Sequence, residues 1–150
     1  MTFDPYDRKR SLRSFYVDVE DFPYGSAGQN SGHHWREKAD ERRRNRTMGK
    51  MMAVDTMARF PHMGRLEGAC HMQVTAYSPM DDAHVHDTIN LPAMLKGYFD
   101  GFTDAGVWED DRQVRSLEVV QHSGEYTRRI YPCGFLIFSI WEVLDSAKSQ

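Results

Sequence analysis

The sequence predicts a single α/β (α+β) domain in which a small mixed sheet of about four strands packs against two main helices. Two segments alternate polar and apolar residues, one segment has helical spacing, and one segment near the C-terminus is apolar on both faces. With 150 residues, of which 40% are hydrophobic, the chain can bury one core. We therefore predict one domain over residues 1–150, with residues 1–13 as a flexible charged tail and residues 144–150 as a second tail.

The N-terminal third predicts a strand followed by a long helix. Phe15, Val17 and Val19 alternate with polar or aromatic neighbours, the pattern of a half-buried strand. Gly, Ser, Gln and Asn dominate residues 24–32, which predicts a loop. From His34 to about Ala58 there is no proline and only one glycine, and good helix formers dominate, so helix is expected there.

The middle of the chain predicts a strand and the clearest helix. The strand is indicated by four apolar residues at every second position: Cys70, Met72, Val74 and Ala76. The helix is indicated by apolar residues spaced i, i+3, i+4, i+7, i+8 and i+11: Leu91, Met94, Leu95, Tyr98, Phe99 and Phe102. Asn90 can cap its start, and Gly106 suits a left-handed residue after its end. We expect these apolar side chains in the core.

Two further strands are expected at residues 116–122 and 134–143. The second contains Phe135–Trp141, which is apolar on both faces and therefore predicts a central strand covered on both sides. The two cysteines, Cys70 and Cys133, lie in or beside these apolar segments, so we interpret both as small core residues and expect no disulfide.

Charge is unevenly distributed along the chain. Residues 1–65 carry 13 Lys and Arg against 9 Asp and Glu, whereas residues 66–150 carry 6 against 13. Such a division suits a nucleic-acid enzyme that uses a metal ion, although solvated charge alone can also produce it. No apolar run approaches the roughly 20 residues that span a bilayer, and the charged N-terminus lacks a signal-peptide pattern, which predicts a cytoplasmic protein without a membrane partner.

Three motifs lie close together between residues 87 and 111. They are Asp87-Thr88-Ile89-Asn90-Leu91, a lysine at Lys96, and Ala105-Gly106-Val107-Trp108-Glu109-Asp110-Asp111. Together they resemble the signature of RusA-like Holliday-junction resolvases, which is an Asp-x-Asp-Asn-Leu start, a lysine in the helix and an Ala-Gly-x-Trp-x-Asp-Asp end. Asn30 and the run His34-Trp35-Arg36 are similar to the N-terminal loop and basic helix of phage-type members.

The resemblance implies a structure-selective endonuclease that uses Mg²⁺, or Mn²⁺, to resolve four-way DNA junctions in recombination and repair. It implies a homodimer, because a four-way junction is symmetric and needs two cuts. The implied catalytic residues are Asp87, Lys96 and Asp111, and the candidate metal ligands are Asp87, Asp111, Asp110 and His86. The candidate DNA-binding residues are Asn30, Arg36, Arg42, Arg43, Arg44 and Arg46.

The chain departs from the signature at Ile89, where an acidic residue is expected before the asparagine and where isoleucine cannot ligate a metal. His84 and His86 could supply substitute ligands, because an extended His-x-His segment projects both rings to one side. Three function classes therefore stay open: an active junction endonuclease, a catalytically weakened junction-binding protein of the same fold, and an unrelated hydrolase built on His84, His86, Asp87 and Asp111.

The same residues also allow simpler interpretations. Lys96 can pair with Asp100 at i, i+4. Asp87 can cap the helix, and Asp110 and Asp111 can belong to a turn. The arginines at positions 42–46 can form a solvated helix face. Asp87 and Asp111 can converge if the strand that follows Asp111 pairs beside the strand that precedes the loop.

Overall fold

A computed structural model describes residues 14–19, 35–61, 64–79 and 91–143. In chain order its elements are β1 (Ser14–Val19), α1 (Trp35–Arg59), β2 (Cys70–Tyr77), α2 (Leu91–Met94), α3 (Lys96–Ala105), a 3₁₀ turn (Asp111–Gln113), β3 (Val114–His122), α4 (Glu125–Ile130) and β4 (Phe135–Glu142). The predicted α/β class and the two main helices are confirmed.

The four strands form one mixed sheet in the order β1-β4-β2-β3. Strand β4 runs antiparallel to both of its neighbours, whereas β2 and β3 are parallel. The parallel pair requires a crossover, which α2 and α3 provide. The expectation that Phe135–Trp141 forms a central strand is confirmed, since β4 lies between β1 and β2 and its last five side chains are buried.

The core lies between this sheet and the α1–α3 helix pair. The ring of Phe138 on β4 contacts Tyr98, Phe99 and Phe102 on α3, with centroids 5.6, 6.1 and 5.0 Å away. Trp108, after α3, packs edge to face against Phe102. In the predicted apolar stripe of the helix, Leu91, Leu95, Tyr98, Phe99 and Phe102 are buried, whereas the side chain of Met94 lies outside the described part of the chain.

Helices α1 and α3 cross in backbone contact. A Cβ added to Gly97 would lie 2.7 Å from the carbonyl oxygen of Arg42, and one added to Gly49 would lie 2.8 Å from that of Tyr98. A Cβ at Gly101 would lie 2.6 Å from the amide nitrogen of Lys50. Three glycines therefore allow the two helices to approach more closely than any side chain would permit.

The predicted helix over residues 91–102 is divided at Leu95 into α2 and α3. Helical hydrogen bonds continue across the division, from Leu95 N to the Leu91 oxygen and from Phe99 N to the Leu95 oxygen, so the apolar stripe is unbroken. The expected C-terminal residue is confirmed: Gly106 has φ 85° and its amide donates to Phe102 and Thr103 oxygens.

Two expectations differ from the structure. Cys70 lies in the core, but Cys133 is exposed because it belongs to the turn before β4 rather than to the strand. A short helix, α4, was not predicted between the last two strands. Within the described ranges, no helix has the length and apolar character needed to cross a membrane.

Candidate functional site

Several carboxylates line a cleft beside α3. This acidic cleft, of about 320 Å³, is lined by Arg46, Asp100, Thr103, Asp104, Glu109, Asp110 and Asp111. Five of its seven lining residues are acidic and one is basic. The negative charges come from α3 and from the segment between α3 and β3.

Helix α3 and the segment after it are fixed by specific contacts. Asp100 and Asp104 lie one turn apart and therefore share a face of α3. Beyond the helix, buried Trp108 donates through Nε1 to Thr103 Oγ1 at 2.6 Å. The amide of Leu66 donates to the Val107 oxygen at 2.7 Å, in a parallel bridge between Leu66 and Trp108. These bonds turn the chain back along α3 and bring Asp110 and Asp111 to its side.

Residues 66–68 also bind one side chain from the turn before β3 and one from the end of β4. Gln113 donates through Nε2 to the oxygens of Leu66 and Gly68, at 2.9 and 3.1 Å. The buried carboxylate of Glu142, at the end of β4, accepts from the amides of Glu67 and Gly68. The 3₁₀ turn that carries Asp111 is thereby fastened to the sheet.

Lys96 lies between two carboxylates. Its Nζ is 2.8 Å from Asp111 Oδ2 and 3.1 Å from Asp100 Oδ1. The hydrogen bond to Asp111, followed by that to Asp100, raises the pKa of Lys96 against the opposing effect of burial. Both sequence interpretations of Lys96 are present together, because the i, i+4 pair with Asp100 coexists with the long-range contact to Asp111.

Asp110 is engaged by its own turn. Its carboxylate accepts from the Arg112 amide at 2.8 Å and from the Arg112 guanidinium at 2.9 Å, while Gln113 completes the capping box. The Arg112 side chain, followed by the Arg112 amide, lowers the pKa of Asp110 to about 2. The turn interpretation of Asp110 is present in the structure, and its oxygens already have donors.

Asp104 links the acidic cleft to the basic helix. Its two oxygens accept from Arg46 Nε at 2.6 Å and from Arg46 Nη2 at 2.9 Å. The hydrogen bond from Arg46, helped by the charge of Lys50, lowers the pKa of Asp104. Arg46 is therefore held between α1 and α3, with a guanidinium facing the cleft.

The four arginines at positions 42–46 do not share one surface. Arg46 binds Asp104 on α3 and lines the cleft, whereas the side chain of Arg42 is exposed and its backbone oxygen lies against Gly97 of α3. Arg43 is exposed beyond them and lies 3.6 Å from Asp40, whereas Arg44 projects from the other side of the helix. Only part of the predicted basic cluster can therefore contact a ligand in the cleft.

The structure brings together two of the three residues that the sequence assigned to catalysis. Lys96 and Asp111 are in contact, and β3 pairs beside β2, which was the condition set for Asp87 to approach Asp111. The parallel register places Val114 near Cys70, at the start of β2, whereas the chain toward Asp87 leaves from its other end. Strand pairing alone therefore does not bring Asp87 to Asp111. Asn30, His84, His86, Asp87, Ile89 and the predicted cap Asn90 lie outside the described residues, as does the side chain of Arg36.

Sequence reasoning assigned no site role to Asp100 or Asp104. The spacing of Lys96, Asp100 and Asp104, each four residues after the last, predicts one face of a helix and could have identified them. Across the four described ranges, no three His, Cys, Asp or Glu side chains are grouped closely enough to hold a metal ion. Two carboxylates, those of Asp100 and Asp111, contact Lys96.

No protein-family model and no curated protein matches this chain. The resemblance to RusA-like resolvases therefore depends on the sequence motifs of residues 87–114.

Proposed function

We propose that this chain is a divalent-metal-dependent endonuclease that cleaves branched DNA, with the four-way junction as its substrate. The observation that carries the proposal is the contact of Lys96 with Asp111 at 2.8 Å. These are the lysine and the final aspartate of the resolvase-like motifs, and they are 15 residues apart in sequence. Motif residues that meet in one cleft support a shared chemical task.

The donor chemistry of the acidic cleft fits Mg²⁺, and Mn²⁺ with less selectivity. The side chains around Lys96 offer carboxylate oxygens, and the described residues that line the cleft include neither histidine nor cysteine. Magnesium usually takes only one or two carboxylates and completes its coordination with water and phosphate. In this proposal Asp111 holds the ion, and Asp87, Asp110 and His86 remain candidate ligands from the sequence.

In this proposal each residue of the cleft and of α1 has a separate role in binding or cleaving the phosphate. A bound divalent ion would polarise the scissile phosphate and make a water more acidic. Lys96 stays protonated at neutral pH, as its raised pKa requires, and its ammonium can offset the negative charge that builds up on the phosphate. Arg42 and Arg43, both exposed on α1, can bind flanking phosphates. Asp111 orients Lys96.

The test is cleavage of a synthetic four-way junction in Mg²⁺ or Mn²⁺. Asp111→Asn keeps the size of the side chain but removes the charge that holds the ion, so cleavage should fall at least ~100-fold while junction binding persists. Asp55→Asn is the matched control, because Asp55 pairs with Arg59 on α1, outside the cleft. Absence of cleavage by the wild type with either ion, or wild-type cleavage by Asp111→Asn, would refute the proposal.

A second candidate is a junction-binding protein without cleavage activity. It is favoured by the engagement of Asp104 with Arg46 and of Asp110 with Arg112, because these pairs leave fewer carboxylates for a metal ion. Such a protein would bind the junction in EDTA with undiminished affinity and would leave it intact when Mg²⁺ or Mn²⁺ is added.

We further propose that the chain acts as a cytoplasmic homodimer. Two coordinated cuts on a symmetric junction require two sites related by a twofold axis. Light scattering during size-exclusion chromatography should report the mass of two chains of 17.4 kDa for the free protein, and that mass plus the mass of one junction for the complex. A monomeric mass in both conditions would contradict this part of the proposal.

A further inference from the structure

We infer that an exposed stripe along α1 is the surface through which two copies of this chain pair, with their α1 helices antiparallel. The stripe consists of six exposed residues at successive spacings of four, four, three, four and four: Asp40, Arg44, Met48, Met51, Asp55 and Arg59. This surface rests on the homodimer of the proposed function, which does not say where the two chains meet.

The stripe lies on the outer side of α1, away from α3. Residues three or four apart return to the same side of a helix, so the six side chains follow one flank over roughly 30 Å. The opposite side of α1 is buried against α3 and the core, at residues such as Asn45, Gly49 and Ala53. A second molecule can therefore reach the stripe without displacing α3.

The centre of the stripe is apolar. Met48 is 41% exposed and Met51 is 62% exposed, and Val54 beside them is 47% exposed. Single exposed apolar residues are ordinary, but neighbouring ones on one helix form a patch of the kind that marks protein contacts. Methionine side chains adapt their shape to a neighbour, which suits a contact between two identical surfaces. A second helix laid over this patch would remove apolar area from water.

The charges on either side of this centre occur in reversed order. Toward the N-terminus the stripe continues with Arg44 and then Asp40, whereas toward the C-terminus it continues with Asp55 and then Arg59. If two stripes lie antiparallel about their midpoints, Arg44 faces Asp55 of the second copy. In the same register Asp40 faces Arg59 of the second copy, and the central methionines face each other. The stripe is therefore complementary to itself, as a contact across a twofold axis requires.

The charges of the stripe also have partners on α1, but those contacts are open to solvent. Asp55 lies 3.0 Å from Arg59, and Asp40 lies 3.6 Å from Arg43, with all four side chains at least half exposed. Each carboxylate can therefore accept a second cation from a neighbouring helix. Exposed ion pairs are individually weak, so the loss of one charge, as in Asp55→Asn or Arg59→Ala, should change dimer affinity only a few-fold. A reversed charge places like charges together and is far more damaging.

The experiment measures the mass of the full chain by sedimentation velocity over a series of concentrations. Arg44→Glu places a carboxylate against Asp55 of the second copy, and Asp55→Arg places a guanidinium against Arg44. Each variant alone should weaken the dimer at least about tenfold, because like charges then meet twice. A mixture of the two variants should dimerise again. In that mixture the introduced glutamate faces the introduced arginine, and the unchanged Arg44 faces the unchanged Asp55.

Arg42→Glu is the matched control. It reverses the same charge two residues before Arg44, about 160° around the helix from it, and should leave the dimer unchanged. Circular dichroism confirms that each variant is folded, which is expected because the substituted side chains are exposed.

The outcomes separate this interface from the proposed function. A wild-type dimer that both charge reversals leave intact, or a mixture that stays dissociated, would overturn the inference and leave the proposed homodimer standing. A wild type that is monomeric at every concentration would overturn both. Dissociation by each reversal, recovery in the mixture and no cleavage of a junction would support the interface and refute the nuclease.

Discussion

Substituting Gly101 by alanine should destabilise the domain, because this residue lies where α3 meets the backbone of α1. The added Cβ would overlap the carbonyl oxygen of Arg46 and lie 2.6 Å from Lys50 N and 3.0 Å from Gly49 C. All three are backbone atoms, so no flexible side chain can move aside. The helices would have to separate.

The expected magnitude is the difference between two opposing effects. Overpacking a tight contact costs about 1 to 3 kcal/mol, and contact with three backbone atoms places Gly101→Ala at the upper end. Alanine gains about 1 kcal/mol over glycine through its higher helix propensity. We therefore expect a net loss of about 2 kcal/mol in the free energy of unfolding, which corresponds to a fall of about 1 M in the urea midpoint for a small domain.

The measurement is urea denaturation followed by circular dichroism. Gly64→Ala is the control, since a Cβ there meets one atom at 3.9 Å and needs no unusual backbone angle. Its midpoint should hardly change. If Gly101→Ala were as stable as the wild type or more so, the close approach of α1 and α3 would be wrong.

Two further predictions concern pH and salt. Burial lowers the pKa of His71 in the folded domain, so below about pH 6.5 the unfolded chain takes up a proton more readily than the folded domain. The free energy of unfolding should therefore fall from pH 7 to pH 5, and it should fall less in His71→Gln. Urea titrations at each pH would test this. Replacing Arg42 and Arg43 by alanine should weaken junction binding and reduce the slope of log affinity against log salt by about one unit per lost phosphate contact. The control variant Arg59→Ala should leave the slope unchanged. An unchanged slope in the double variant would show that these two arginines only face solvent.

The elements that the sequence predicted well are those with local signals. Strand β4 was recognisable because its apolar residues occupy both faces, and the end of α3 because Gly106 can adopt a left-handed conformation that other residues avoid. Helix α4 was missed because Glu125–Ile130 spans fewer than two turns, too few residues for a periodic pattern. The exposure of Cys133 was missed because a turn directly before an apolar strand resembles the strand itself.

The candidate site was predictable only in part. The motif drew attention to Lys96 and Asp111, and the turn interpretation anticipated the role of Asp110, but neither indicated that Arg46 would bind Asp104. The Arg46–Asp104 pairing depends on the crossing of α1 and α3, which brings together residues that are 58 positions apart. Local periodicity carries no information about such a crossing. In the sequence, Gly49 and Gly101 look like residues that weaken a helix, and nothing marks them as the places where the backbones of α1 and α3 meet.

The hydrogen bonds of residues 66–68 bear on where loss-of-function substitutions should occur in a genetic screen. Gln113 and Glu142 both bind this segment from the 3₁₀ turn and from the end of β4, and neither lines the acidic cleft. Removing either side chain would leave backbone groups without their partner and would release the turn that carries Asp111. A screen for inactive variants would therefore recover Gln113 and Glu142 alongside the acidic residues. Second-site suppressors of those two variants should map to residues 66–68, far from the cleft in sequence.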